Sequence, residues 1–136
     1  MPRALVAYWT AWNEPDVELV RSHLTVAVET TVEWNDPRDS FTGIDALEAA
    51  VRRLRTSKPA YRFTLASEID HHNGRYRYRW DMVRDGRVLM EGTDVTTVCA
   101  DSGLIARVDG FFGHPTPLKP SGSGVPPELR VTPGGA

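Results

Sequence analysis

The sequence predicts an α+β fold, namely a cone-shaped, strongly curved and mostly antiparallel sheet packed on three N-terminal helices and enclosing a pocket. Apolar residues recur at helical spacing in the first part of the chain, and from Ala60 onward they alternate with polar residues. Helices at one end of a chain and antiparallel strands at the other are typical of this class. A long curved sheet over helices leaves a hollow that suits a small apolar ligand.

The first two predicted helices are separated by a proline break. Residues 3–13 carry apolar side chains nearly all round, and Tyr8 and Trp12, four residues apart, share one helical face. Pro15 and Asp16 suit the start of the second helix. Residues that follow at helical spacing then predict its apolar stripe, namely Val17, Leu19, Val20 and Leu24.

A strand and a third helix follow. Residues 26–34 are rich in Val and Thr, which favour strands. Thr42, with Asp45 three residues later, resembles a capping box that opens the third helix. The apolar stripe of that helix is Ile44, Leu47, Val51 and Leu54, and we expect Arg52, Arg53 and Arg55 to face solvent.

Three long strands with tight turns make up the rest of the predicted sheet. Tyr76, Tyr78, Trp80 and Met82 alternate with charged residues, and Asp85-Gly86 predicts a hairpin turn. Residues 87–99 form the next strand, with Gly92 as a bulge, and residues 104–112 form the last. We therefore expect one domain over residues 1–113. Residues 114–136 hold six of the ten prolines and predict a flexible tail rich in Pro and Gly.

Composition and charge exclude several classes of function. A length of 136 residues suits a single core, and a net charge of −2 without a basic patch argues against nucleic acid. No apolar run approaches the roughly 20 residues of a membrane helix. The N-terminus lacks the pattern of a signal peptide, and the single cysteine, Cys99, makes no internal disulfide. We expect a cytoplasmic protein that does not bind membranes.

The order of several short motifs resembles the nuclear transport factor 2-like superfamily, especially its SnoaL-like and ketosteroid isomerase-like members. The motifs are YWTAWNEPD, VEWNDP before a glycine and a helix, RYRYRW, EGTD and IARVDGFFG. The resemblance covers residues 3 to about 113. It implies a curved sheet on three helices, an internal pocket for a small apolar ligand or substrate, and a homodimer through the sheet. Because functions on this fold are diverse, the fold does not settle the activity.

The resemblance also implies three catalytic residues for acid–base chemistry without a cofactor or metal. Asp36, before Pro37, matches the position of the base, while Tyr8 and Asp94 match the two donors of the oxyanion hole. Trp34 would exclude water around Asp36, and Asn35 would orient it. Asp94 would stay protonated in an apolar pocket, as the equivalent acid of ketosteroid isomerases does. The implied activity is that of an isomerase or a polyketide cyclase.

Each of these residues also has a purely structural interpretation. Asp36 before a proline is often a turn residue that accepts backbone hydrogen bonds. Asp94 could face water, and Tyr8 could simply pack in the core. The chain could then be a non-catalytic binding or interaction domain. Aromatic residues are predicted to form the core and the pocket wall, namely Trp12, Trp34, Phe63, Tyr78, Trp80 and Phe111.

A second candidate site consists of Arg79, Asp81 and Asp109. It is similar to the Asp-Arg-Asp set of limonene-type epoxide hydrolases, which share this fold. Strand alternation argues against it, because Arg79 and Asp81 point outward if Tyr78 and Trp80 point inward. His71-His72 is predicted to lie in a solvated turn and not to bind a metal.

Overall fold

The computed structural model describes residues 1–120, 124 and 126–129, and it has the predicted α+β architecture. The three helices are α1 Arg3–Asn13, α2 Val20–Thr25, which a 3-10 turn at Val17–Leu19 precedes, and α3 Ile44–Ser57. The seven strands are β1 Val28–Asn35, β2 Ser40–Thr42, β3 Arg62–Leu65, β4 Asp70–His72, β5 Arg75–Arg84, β6 Arg87–Val98 and β7 Ile105–Phe112.

All seven strands form one mixed sheet in the order β2-β1-β7-β6-β5-β3, with β4 also paired to β5. Only β1 and β7 run parallel, and the other pairs are antiparallel. The parallel pair brings the first strand of the chain next to the last. The residues that follow β1 therefore lie beside Gly110, near the end of β7, which pairs with Asp94 on β6.

The sheet has an inner face that packs on the helices and an outer face. On β5, Tyr78, Trp80 and Met82 are buried, whereas Arg77 and Arg79 lie on the opposite face. This confirms the alternation read from the sequence. The core lies between the inner face and the three helices, and its largest fully buried side chains are Tyr8, Tyr78, Leu5, Leu24, Leu47 and Ile105.

The predicted bulge at Gly92 is wrong. The register of β5 and β6 shifts between Met82 and Val83, so Leu89 is the extra residue. Gly92 stays in register opposite Trp80, and a Cβ atom there would lie 2.0 Å from the Trp80 ring. The glycine is needed because the indole of Trp80 lies directly on the backbone of β6.

The predicted break at Pro15-Asp16 is present, but α2 begins later than predicted, at Val20 after the 3-10 turn Val17–Leu19, and the start of α3 also differs. The Asp16 side chain accepts a hydrogen bond from the N–H of Glu18 at 3.0 Å and so caps the turn before α2. Thr42 lies in β2, and no side chain caps α3. The chain instead turns at Gly43, whose φ of 103° is open only to glycine and whose N–H donates to the Val32 carbonyl.

The predicted solvent exposure of Arg55 is also wrong, because this residue is only 2% exposed. Its guanidinium donates to the carbonyl oxygens of Trp12, Lys58, Pro59 and Tyr61 at 2.8–3.3 Å. It thereby satisfies carbonyl groups near the C-terminal ends of α1 and α3 and ties the two ends together. Helical periodicity could not reveal this, since the acceptors belong to the backbone.

Replacing Arg55 with methionine is expected to lower the free energy of unfolding by about 3 kcal/mol. Methionine keeps the apolar stem but leaves several buried carbonyl groups without a donor. Urea unfolding followed by tryptophan fluorescence measures the loss. Arg53→Met is the matched control, because Arg53 is exposed on the same helix, and it should change stability by no more than about 0.5 kcal/mol. Equal losses in the two variants would contradict the role of Arg55.

Both histidines of the pair His71-His72 lie in β4, not in a turn, and the turn is formed by Asn73 and Gly74, with φ of 48° and 79°. His71 stacks on Tyr76 at a ring-centroid distance of 5.4 Å. Within the described part of the chain, no group of three His, Cys, Asp or Glu side chains could hold a metal ion.

The predicted tail lies partly outside the described residues, since 121–123, 125 and 130–136 are not described. Residues 114–120 are exposed and belong to no strand or helix, and Pro127–Leu129 form a single 3-10 turn. The division of the chain into a domain and a flexible tail stays a prediction. Among the helices of the described residues, none has the length and apolar character needed to cross a membrane.

Candidate functional site

A cavity of about 430 Å³ lies between the inner face of the sheet and helices α1 and α3. We call it the inner cavity. Tyr8, Asp36 and Asp94 all line it, so the structure brings the three predicted catalytic residues to one place. The rest of its wall includes seven aromatic rings, from Trp9, Trp12, Trp34, Tyr61, Phe63, Trp80 and Phe112.

A second cavity, of about 440 Å³, lies on the other side of Trp9 and is called the side cavity. Trp9, Phe63 and Trp80 line both cavities, with ring centroids 5.6–6.3 Å apart, and so form an aromatic wall between them. The one acidic residue in its lining, Glu14, pairs with His23 at 2.7 Å. The inner cavity is therefore the better candidate for acid–base chemistry.

Asp94 is a buried carboxyl group in the middle of β6. It is 5% exposed, and the Trp80 indole N–H donates to its Oδ1 at 2.9 Å. Burial raises the pKa of Asp94 to about 7, an effect that the hydrogen bonds from Trp80 and Tyr78 oppose and the negative charges of Asp36 and Asp109 reinforce. Near neutral pH a large share of Asp94 is therefore protonated and can donate a hydrogen bond.

Tyr8 is a buried hydrogen-bond donor on α1. Its hydroxyl oxygen accepts the indole N–H of Trp34 at 2.9 Å, and its own hydrogen goes to no acceptor in the described part of the protein. Burial raises the pKa of Tyr8 well above its ordinary value, and the negative charge of ionised Asp94 adds to this effect, so the phenol stays protonated. It is 1% exposed and lies at the inner end of the cavity.

Three of the four tryptophan indoles donate a hydrogen bond to a polar side chain inside the protein. Trp34 donates to Tyr8, Trp80 to Asp94, and Trp9 to the Tyr78 hydroxyl at 2.9 Å. The N–H of the fourth, Trp12, is buried and has no partner in the described residues. A buried donor without a partner is uncommon, and this one belongs to a residue that lines the inner cavity.

Asp36 lies in the turn between β1 and β2 and is partly exposed. Its Oδ1 accepts the backbone N–H groups of Arg38 and Asp39 at 2.8 and 2.9 Å, as in the structural interpretation of this residue. The second carboxylate oxygen makes no hydrogen bond within the described residues. Asp36 therefore has one oxygen that holds the turn and one that is available to a ligand.

Gly110 on β7 has no side chain and so leaves room for Asp94 and Asp36 beside it. A Cβ atom at this position would lie 2.9 Å from the Asp94 Oδ1 and 3.5 Å from the Asp36 Cβ. Gly110 pairs with Asp94 across β6 and β7, and Asp36 follows the stretch of β1 that pairs with β7. Sequence reasoning missed this residue, although a glycine inside a strand is a signal of close approach.

Most predicted pocket residues line a cavity, with one correction. Trp12, Trp34, Phe63 and Trp80 line the inner cavity. Tyr78 lines the side cavity, where its hydroxyl contacts Thr96 at 3.0 Å and Asp94 at 3.5 Å.

Phe111 is 63% exposed on the outer face, so its assignment to the pocket wall is wrong, and Phe112 lines the inner cavity instead. The alternation of β7 explains the correction, because Val108, Gly110 and Phe112 share the inner side.

The residues of the second candidate site do not line either cavity. Arg79 contacts Glu91 at 3.8 Å and His114 at 3.2 Å. Asp109 accepts from Arg107 at 2.8 Å, and Asp81 lies on the same outer face.

Asn35, expected to orient Asp36, instead accepts a hydrogen bond from Ser40 at 2.7 Å and contacts Asp109 at 3.4 Å. A water-activating set built on Arg79, Asp81 and Asp109 would open to solvent and not to an enclosed ligand.

The chain is similar to several solved structures. A candidate isomerase of the SnoaL-like family from Agrobacterium tumefaciens is 31% identical, with a TM-score of 0.75, and the match covers 82% of this chain and 95% of that one. A nuclear transport factor 2-like protein of unknown function from Exiguobacterium is 20% identical over 82% of this chain and 99% of that one, with a TM-score of 0.67.

A candidate polyketide cyclase from Sinorhizobium meliloti is 15% identical over 81% of this chain and 94% of that chain, with a TM-score of 0.64. No family model matches the sequence, and no curated protein matches it significantly.

Proposed function

Because the chain belongs to the SnoaL-like family of the nuclear transport factor 2-like superfamily, we propose that it is an enzyme that moves protons next to a carbonyl group. The substrate is a small, largely apolar compound that enters the inner cavity. The observation that carries the proposal is that Tyr8, Asp36 and Asp94 line one cavity, in which burial raises the pKa of Asp94 to about 7.

In the proposed reaction, the free oxygen of the Asp36 carboxylate takes a proton from the carbon next to the substrate carbonyl. The electron pair of the broken C–H bond moves onto the carbonyl oxygen and forms an enolate. Tyr8 and protonated Asp94 donate hydrogen bonds to that oxygen, where the negative charge develops. Where the substrate has a carbon–carbon double bond one position beyond that carbon, Asp36 returns the proton to the far carbon of this bond, and the double bond moves into conjugation with the carbonyl. Alternatively, the enolate carbon attacks a second carbonyl and closes a ring, and the proton held by Asp36 passes to the alkoxide that forms.

The set of aromatic rings that lines the inner cavity supports this chemistry in two ways. It excludes water from around the enolate, which strengthens each hydrogen bond from Tyr8 and Asp94. It also favours flat substrates, because ring faces pack well against the indoles of Trp12 and Trp34.

The second candidate function is binding without catalysis. It is favoured by the two backbone hydrogen bonds that Asp36 accepts within its own turn, because such a residue can be explained by the turn alone. A binding protein needs the cavity and its donors but does not need a base. A homodimer through the outer face of the sheet, where Phe111 is exposed, also stays a prediction.

Titration with 2-naphthol tests the oxyanion-binding part of the proposal. A naphtholate resembles the enolate, so we expect saturable binding by calorimetry that weakens by at least about 1 kcal/mol in Tyr8→Phe. Tyr76→Phe is the matched control, because Tyr76 lines neither cavity, and it should bind as the wild type does. If the affinity for 2-naphthol is unchanged in Tyr8→Phe, the cavity is apolar and has no oxyanion hole at Tyr8.

A further inference from the structure

Three cationic side chains line the mouth of the inner cavity. Arg38 lies in the turn between β1 and β2, and Arg53 and Lys58 lie at the C-terminal end of α3. All three residues are exposed, and within the described part of the chain none of their cationic groups has a carboxylate within 4.0 Å. The proposed chemistry at Tyr8, Asp36 and Asp94 uses none of them.

Aromatic rings of the cavity wall hold two of these cations at the mouth. The guanidinium of Arg38 lies 5.5 Å from the ring centroid of Phe112, and the ammonium group of Lys58 lies 5.9 Å from that of Tyr61. Both rings line the inner cavity. Attraction between a cation and a ring face favours positions over the ring, so these charges stay beside the opening.

The carboxylates at the mouth are bound to their own turn. Asp39 accepts the N–H of Ser40 at 3.0 Å, and Asp36 accepts two backbone N–H groups. Within the described residues, neither carboxylate lies within 4.0 Å of the cationic group of Arg38, Arg53 or Lys58. The two negative charges at the turn therefore leave the three cations without an ionic partner, and a bound anion would supply one.

The two ends of the inner cavity differ in chemistry. Tyr8 and Asp94 are almost completely buried at the inner end, where the Tyr8 hydroxyl and the protonated form of Asp94 are the proposed donors to a substrate oxygen. Arg53 and Lys58 are exposed at the outer end, where an anion keeps part of its hydration and loses little on binding. A ligand that satisfies both ends is apolar in its middle, with a carbonyl or phenol oxygen at one end and a negative charge at the other.

We infer that Arg38, Arg53 and Lys58 form an anion subsite, and that the substrate is a flat, apolar carbonyl or phenol compound with a carboxylate remote from the reacting oxygen. The inference rests on the proposed function, because that function places the reacting oxygen at Tyr8 and Asp94. It narrows the substrate class from apolar carbonyl compounds in general to their anionic members.

Two probes that differ only in a remote carboxylate group test the subsite. 6-Hydroxy-2-naphthoate carries a carboxylate opposite its hydroxyl group, and 2-naphthol lacks it. We expect the wild type to bind the carboxylate probe about tenfold more tightly, because three exposed cations each contribute a modest attraction. The ratio of the two dissociation constants, measured by calorimetry at low salt, should fall toward one in 0.5 M sodium chloride, which screens exposed charges.

The triple variant Arg38→Gln, Arg53→Gln and Lys58→Gln should reduce the ratio to about one while leaving the affinity for 2-naphthol unchanged. The matched control replaces Arg3, Arg75 and Arg87 with glutamine, which removes the same charge from exposed positions outside both cavities. That control should keep the tenfold preference, since only the net charge of the protein changes.

Each outcome bears on the subsite separately from the proposed function. Equal affinities in the wild type, or a preference that survives the triple substitution, would overturn the subsite. Such a result leaves the proposed function standing if 2-naphthol still responds to Tyr8→Phe. A tenfold preference without any response to Tyr8→Phe would support an anion-binding cavity and remove the proposed oxyanion hole. If neither probe binds, both the anion subsite and the proposed function are overturned.

Discussion

Replacing Asp36 with asparagine is expected to lower the rate of deuterium exchange next to the carbonyl of an aryl ketone, such as 2-tetralone, about 10³-fold. A positioned general base typically contributes 10²–10⁴ in rate. Asparagine removes the negative charge and the basic oxygen but keeps an oxygen that accepts the N–H groups of Arg38 and Asp39. The turn should therefore survive, and the loss should reflect the missing base.

Proton NMR in deuterium oxide follows the exchange on this simple ketone, so the natural substrate is not required. Asp39→Asn is the matched control, since this residue lies three positions away and lines the same cavity. We expect its rate to stay within about threefold of the wild type, because it has no proposed contact with the reacting carbon. If the two variants lose activity equally, the mouth of the cavity needs negative charge in general, and Asp36 is not the base.

The fold was predictable where side chains follow a strict period. The alternation on β5 placed Tyr78 and Trp80 inside and Arg79 outside, and the turn at Asp85-Gly86 has φ of 51° and 74°, as its sequence indicates. The α1 bounds also agree with the prediction, because its apolar residues are nearly continuous. These features depend on neighbours in the sequence, which one chain can reveal.

Other features depend on partners far along the chain, and those were missed. The carbonyl groups that hold Arg55 come from the loop after α3 and from α1, and periodicity carries no information about backbone acceptors. The short strands β2 and β4 contain three residues each and form only because β1 and β5 pair with them. The parallel pairing of β1 with β7 joins opposite ends of the domain.

The candidate site was likewise predictable only in part. Tyr8, Asp36 and Asp94 were proposed by resemblance to a family, and the structure places all three on one cavity. The buried contact of Trp80 with Asp94 was not predictable, because it requires the missing side chain of Gly92. Adjacent phenylalanines at the end of β7 could not be told apart by composition, and a one-residue error in register exchanged the inner and outer rings.

Stability should fall as pH rises, with Asp94 as the cause. Burial raises the pKa of Asp94 from an ordinary value of 3.8 to about 7, so the folded protein holds this proton more tightly than the unfolded chain does. The stabilising contribution is full below about pH 4 and is lost progressively up to about pH 7. The shift corresponds to about 4 kcal/mol over that interval.

Urea unfolding at a series of pH values measures this effect as a difference between the wild type and Asp94→Asn. Asparagine keeps an oxygen that can accept the Trp80 indole N–H but carries no titratable proton. The free energy of unfolding of the variant relative to the wild type should therefore rise by about 4 kcal/mol between pH 4 and pH 7 and stay level above that. Taking the difference removes the contributions of all other titrating groups.

Thr96→Val is the matched control, because Thr96 belongs to the same buried network through its contact with Tyr78 but does not titrate. Its stability relative to the wild type should not depend on pH. A flat difference for Asp94→Asn as well would mean that Asp94 ionises at an ordinary pH inside the folded protein. The acid could then not donate a hydrogen bond to an enolate near neutral pH, and Tyr8 would be left as the one donor of the proposed pair.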